Sequence, residues 1–98
     1  MIQNNIVQEI CAYVEKGGGA YSGWYCGIAS NPEKRLFKDH NVSEGECWIF
    51  CNAKTEQDAR DTESHLAKLG FQGGNGEGGP TAISVYAYMI TDSTKEAV

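Results

Sequence analysis

The chain has 98 residues, a formal net charge of −5, a pI near 4.9, 41% hydrophobic residues and 10% aromatics. That length fits one domain with a small core, and the composition excludes a chain that is disordered beyond its two ends. The acidic balance excludes a general nucleic-acid coat protein, which gains most of its affinity by neutralising phosphates with Lys and Arg; only a local basic patch remains open.

In chain order, Ile2, Ile6, Ile10 and Val14 recur every fourth residue and predict one face of an amphipathic helix, ended by Gly17-Gly18-Gly19. From Tyr21 to Ala29 the pattern is strand-like, with Trp24, Cys26 and Ile28 pointing one way and Tyr25 and Gly27 the other. Ser30 or Asn31 can then cap a second helix, with Pro32 in its first turn and Glu33 near the positive end of its dipole, running to about His40. Glu46 to Cys51 reads as a second strand. Thr55 with Asp58 three residues on resembles a capping box opening a third helix, which runs to Leu69 and stops at Gly70. Six of the ten residues from 70 to 79 are glycine and predict a loop. A last strand follows from Ala82 to Ile90, then a polar tail from Thr91 that is expected to fray.

Four cysteines, Cys11, Cys26, Cys47 and Cys51, lack the C-x-x-C spacing of a zinc or redox motif. On a strand Cys47, Ile49 and Cys51 share a face, so the expectation is reduced, mostly buried thiols and a cytoplasmic protein. The opening MIQNNIVQEIC has neither the basic start nor the apolar run of a secretory signal, and no stretch approaches the roughly 18 apolar residues of a membrane span.

Some residues are not explained by a core. Ala59, Thr62, Leu66 and Leu69 set the inward arc of the third helix, and Glu63 falls inside it. An unpaired carboxylate there costs several kcal/mol, so Glu63 must be paired, protonated or at a cleft. On the second helix His40 lies between Leu36 and Phe37, while Lys34 and Lys38 take the opposite side. Arg35 lies on the flank, placed for an ion pair with Asp39, and the plain structural reading of His40 is a part-buried ring donating to a carbonyl.

The run Trp24-Tyr25-Cys26-Gly27-Ile28-Ala29, followed by Asn31-Pro32-Glu33-Lys34-Arg35-Leu36, resembles the second half of the GIY-YIG nuclease motif. Ala59-Arg60-Asp61-Thr62-Glu63 is similar to the helix that bears that family's metal-binding glutamate, and Val85-Tyr86-Ala87-Tyr88 to its last strand. Two features differ: the nearest match to the first tripeptide, Gly19-Ala20-Tyr21, lies only four residues before Tyr25, and Arg35 to His40 is a step of five where the family uses four.

The predicted elements run in the order α-β-α-β-α-β, and the resemblance implies a compact α/β domain with a small three-stranded, mainly antiparallel sheet flanked by helices. It implies a nuclease in which Tyr25 positions or deprotonates water, Arg35 pairs with phosphate oxygens and Glu63 binds one Mg²⁺ or Mn²⁺. Tyr21 and His40 stand as further catalytic candidates. Lys34, Lys38 and Asn75 are the candidates for contact with nucleic acid, which so acidic a protein would hold weakly by itself. The alternative is a non-catalytic module on the same scaffold that binds a protein or nucleic-acid partner, and a weaker one is a thiol or metal sensor built on the four cysteines.

Overall fold

The computed structural model describes residues 1–73 and 81–97. Helix α1, Asn4–Lys16, buries Ile6, Ile10 and Val14 as the four-residue spacing predicts. Ile2 shares that spacing but precedes the helix and is exposed. Strand β1 covers Trp24–Ala29; the residues ahead of it, Tyr21–Gly23, form a 3-10 turn closed by Gly23 N donating to Ala20 O at 2.9 Å. The strand therefore starts three residues later than its pattern suggests.

Asn31, rather than Ser30, caps α2: its side-chain oxygen accepts from Lys34 N at 3.1 Å, and Pro32 occupies the first turn, where a missing N–H costs nothing. The α-helical part of α2 is only Pro32–Lys34 and continues as a π-helical turn, Arg35–Asp39, with His40 N donating to Arg35 O at 2.8 Å. Val42 N reaches back to Leu36 O at 2.8 Å, and Asn41 takes the left-handed conformation (φ 58°) that asparagine tolerates better than most residues.

Strand β2 is Trp48–Asn52 and helix α3 is Glu56–Leu69, opened by Thr55 accepting from Asp58 N at 3.0 Å and closed by Gly70 at φ 123°. Two short steps later Gln72–Gly73 form β3, and Ser84–Met89 form β4. The sheet has four strands in the order β2-β4-β1-β3: β4 is antiparallel to both neighbours and β3 is parallel to β1. This corrects the expectation of three strands. Gly70 turns the chain at once, Phe71 tucks into the core, and the next two residues fall beside Tyr25 and Cys26. A two-residue strand has no periodicity to display.

Period-two alternation divides the core between the faces of the sheet. Trp24, Cys26, Ile28, Val85 and Ala87 pack with Ile6, Ile10 and Val14 of α1 and Ala59 and Leu66 of α3. On the other face Tyr86 and Tyr88 pack with Leu36, Val42, Tyr25, Phe37, Trp48 and Phe50. The four cysteines are free thiols, and Cys47 and Cys51 join Ile49 on the α1 side. Among the described residues no helix is long and apolar enough to cross a membrane.

Gly27 pairs with Tyr86 across the β1–β4 ladder, and the Tyr86 ring lies over it: a Cβ at Gly27 would stand 2.5 Å from the phenol oxygen. Gly45 has nothing within 4 Å of the same point. Gly27→Ala should therefore destabilise the domain by about 1–3 kcal/mol in urea unfolding, whereas Gly45→Ala should stay within about 0.5 kcal/mol of wild type or gain slightly. Equal stability of the two variants would show that Tyr86 has slack over Gly27.

Candidate functional site

The site grows from the meeting of β1, β4 and the π turn. Register sets Tyr25 opposite Tyr88 and Gly27 opposite Tyr86, so three phenols emerge on the face away from α1 and α3. His40 packs among them, with ring centroids 4.8 Å from Tyr25, 5.6 Å from Tyr86 and 5.0 Å from Tyr88. The π turn is what delivers it. The extra residue between Arg35 and His40 is absorbed as one wider turn instead of rotating His40 off the sheet, a device that often marks functional helices.

His40 is fully buried and its ring is held at both nitrogens. Nε2 lies 2.8 Å from the Tyr86 hydroxyl, and Nδ1 lies 2.6 Å from the Lys95 carbonyl oxygen and 3.1 Å from the Tyr88 hydroxyl. Tyr88 in turn donates to Glu96 at 2.9 Å. Arg35 bonds to the Tyr86 hydroxyl and to Asp39, the latter an i,i+4 ion pair at 3.0 Å. The ion pair expected for Arg35 and its role beside a phenol thus coexist.

The segment after β4, expected to fray, is tied along this cluster. Lys95 N donates to His40 O at 2.8 Å and Asn41 Nδ2 to Ser93 O at 2.9 Å. Beside it Tyr25, Gln72, Gly73, Ile90, Glu96 and Ala97 line an open cleft of about 460 Å³. Gly73 (φ 89°) lets β3 approach the Tyr25 ring, which a Cβ there would meet at 2.8 Å.

Burial pushes the Tyr86 phenol well above the ordinary tyrosine range; the Arg35 bond and charge oppose this, and the charges of Tyr25 and Glu63 add to it. Tyr88 is raised further, by burial and then by Glu96. Burial is the largest single influence on Arg35 and lowers it, but the bonds and charges of Tyr86 and then Asp39 together outweigh it and hold the guanidinium above its ordinary value. His40 is moved the other way: burial lowers it, the Arg35 charge adds to this, and the Lys95 carbonyl with the Glu96 and Asp39 charges opposes it.

The structure gathers Tyr25, Arg35 and His40, but not every residue chosen from sequence. Tyr21 lies in the 3-10 turn, stacks on Phe71 with centroids 5.1 Å apart and donates to Glu15 at 2.8 Å. It packs with the α1–α3 cluster, on the opposite face from Tyr25, because the turn ends the alternation that would have brought it round. Glu63 is 2% exposed on the inward side of α3, as its place in the arc predicts. Its charge reaches both Tyr86 and Cys26, whose thiol is pushed up to about 12 by burial first and Glu63 second. Lys34 and Lys38 are exposed on α2, and Asn75 lies outside the described residues.

Tyr86, Tyr88 and Glu96 were not singled out from the sequence. The signal available for the tyrosines was their shared parity in β4, two residues apart and therefore on one face. Compared with known proteins, the chain matches no family model, no curated protein and no solved structure.

A histidine kept neutral by the fold takes up its proton less readily than in the unfolded chain. Its contribution to stability is present above about pH 6.5 and is lost as the pH falls below that value. Urea unfolding of wild type and His40→Asn between about pH 7.5 and about pH 5 should show the wild-type advantage narrowing on acidification. A gap that is constant or widens would show that His40 is not held neutral.

Proposed function

We propose that this domain is a GIY-YIG-like endonuclease, dependent on Mg²⁺ or Mn²⁺, that hydrolyses phosphodiester bonds in DNA or RNA. The observation that carries this reading is the convergence of Tyr25, Arg35, His40 and Tyr86 on one face of the sheet, where Arg35, Tyr86 and His40 share a hydrogen-bonded cluster and the Tyr25 ring packs against it. Hydrolysis needs water to be aligned and activated while charge grows on the phosphate. Tyr25, half-buried at the cleft, is the phenol placed to orient water. Arg35, with a side chain 20% exposed, is the cation that would meet phosphate oxygens. Exposed Lys34 and Lys38 on the same element add local positive charge to an otherwise acidic protein.

Among the described residues no three or more His, Cys, Asp or Glu side chains gather as a metal site; the resemblance assigns the ion to one carboxylate, the buried Glu63, with water and substrate completing the shell. When bound, the ion would neutralise charge on the phosphoryl oxygens. Free thiols at Cys11, Cys26, Cys47 and Cys51 accord with work in a reducing cytoplasm.

The net charge of −5 and the burial of Tyr86, 1% exposed, favour a second reading: a binding module on the same scaffold for a protein or nucleic-acid partner, without turnover. Incubation with supercoiled plasmid, branched DNA and single-stranded RNA at low salt separates the two. Mg²⁺- or Mn²⁺-dependent cleavage is expected, with Arg35→Ala raising the barrier by about 2–3 kcal/mol and Tyr25→Phe abolishing activity. Cleavage that survives in the Arg35→Ala, Tyr25→Phe double variant would refute the nuclease reading. No turnover with either metal would leave the binding module.

A further inference from the structure

The hydrogen positions around His40 follow from what each neighbour is able to do. A carbonyl oxygen only accepts, so the Nδ1···O contact of 2.6 Å to Lys95 requires a hydrogen on Nδ1. The second neighbour of Nδ1 leads to the same result. The Tyr88 hydroxyl spends its one hydrogen on Glu96 at 2.9 Å, so toward Nδ1, 3.1 Å away, its oxygen only accepts. In a neutral ring Nε2 is then bare, and the hydroxyl 2.8 Å from it, that of Tyr86, must donate to it. The Tyr86 oxygen is left with lone pairs that accept from Arg35. Donation runs in one direction through the cluster: Arg35 to Tyr86, Tyr86 to His40, His40 to Lys95.

We infer that the segment following β4, through the Lys95 carbonyl and the Glu96 carboxylate, is the positioning element of the site: it fixes His40 as the Nδ1–H tautomer and so makes Nε2 the acceptor of the Tyr86 hydroxyl proton. The step this prepares is balanced within the cluster. In the resting cluster the hydrogen stays on Tyr86, because burial raises the phenol and lowers the imidazole; on transfer the Tyr86 O–H bond would break and an Nε2–H bond form, leaving the phenolate between the Arg35 guanidinium and an imidazolium that still donates through Nδ1 to Lys95. The alternative Nε2–H tautomer would take from the Tyr86 hydroxyl hydrogen its acceptor on His40 and would set two acceptors against each other at Lys95, 2.6 Å apart. Lys95 and Glu96 act through His40 and Tyr88, not on a substrate. The tautomer stands on geometry alone; its use in catalysis rests on the nuclease reading.

Long-range ¹H–¹⁵N correlation of the histidine rings in the uniformly labelled full chain reads the tautomer directly. The expected result for His40 is a protonated Nδ1 and an unprotonated Nε2 whose resonance moves in Tyr86→Phe. A chain ending at Thr94 should lose that pattern and populate the Nε2–H form preferred by an unconstrained imidazole. Where cleavage is measurable in wild type, the same truncation should lower kcat by about a hundredfold or more with KM little changed. A protonated Nε2 in wild type, or an unchanged Nδ1–H pattern in the folded truncation, overturns the inference. Should the truncation fail to fold, the wild-type spectrum and its response to Tyr86→Phe still decide it. Absence of cleavage by wild type bears on the nuclease reading and leaves the ring assignment standing.

Discussion

The polar groups buried behind the sheet depend on one hydroxyl. Tyr86 is 1% exposed, and its oxygen is the point where a guanidinium and an imidazole, carried by one short helical segment, meet β4, one of the two inner strands of the sheet. Each of these groups would be costly to bury alone, because a polar atom taken from water without a partner loses more than a made hydrogen bond returns. Together they satisfy one another. The cluster exists only because Gly27 has no side chain, which lets the Tyr86 ring cross β1 at a distance no other residue would allow.

The order of the sheet makes this meeting possible. By placing β4 between β1 and β2, the chain sets Tyr86 between Gly27 and Phe50, and Tyr88 between Tyr25 and Trp48. The polar cluster is thus bordered by a half-buried aromatic shelf, with Trp48 stacked on Phe50 and Phe37 edge-on to Trp48. Low polarity on that side sharpens every electrostatic term in the cluster. It also accounts for the direction of the shifts: phenols driven toward their protonated form and His40 toward its neutral form, while Arg35 keeps its charge through Tyr86 and Asp39.

Two devices hold His40 against the sheet, and each offsets a local cost. The π turn gives up regular helical bonding for one wider ring, and Asn41 accepts a positive φ to turn the chain away. In return Asn41 holds Ser93 and the His40 carbonyl holds Lys95, so the segment after β4 is anchored to the turn it supports. The open cleft beside Tyr25 and Glu96 lies where this segment meets β3.

The alternation of Trp24, Cys26 and Ile28, the strand-forming residues of the last strand, the four-residue spacing of Ile6, Ile10 and Val14, the Thr55 cap and a cap at Ser30 or Asn31 were all legible in the sequence, because each is a local rule expressed within one element. So was the anomaly of Glu63, a charge on the apolar arc of α3, since a helical wheel needs no partner to show it. Tertiary structure alone decided that Tyr21 stays on the far face and that Tyr86 takes a place in the cluster: parity along one strand cannot say which strand will lie beside it, and a 3-10 turn resets the count. The π turn, the two-residue β3 and the bonds from Lys95 and Glu96 to the His40 cluster were equally invisible. They are fixed by hydrogen bonds between residues far apart in the chain or by backbone groups that every residue carries, and neither leaves a pattern of residue types to read.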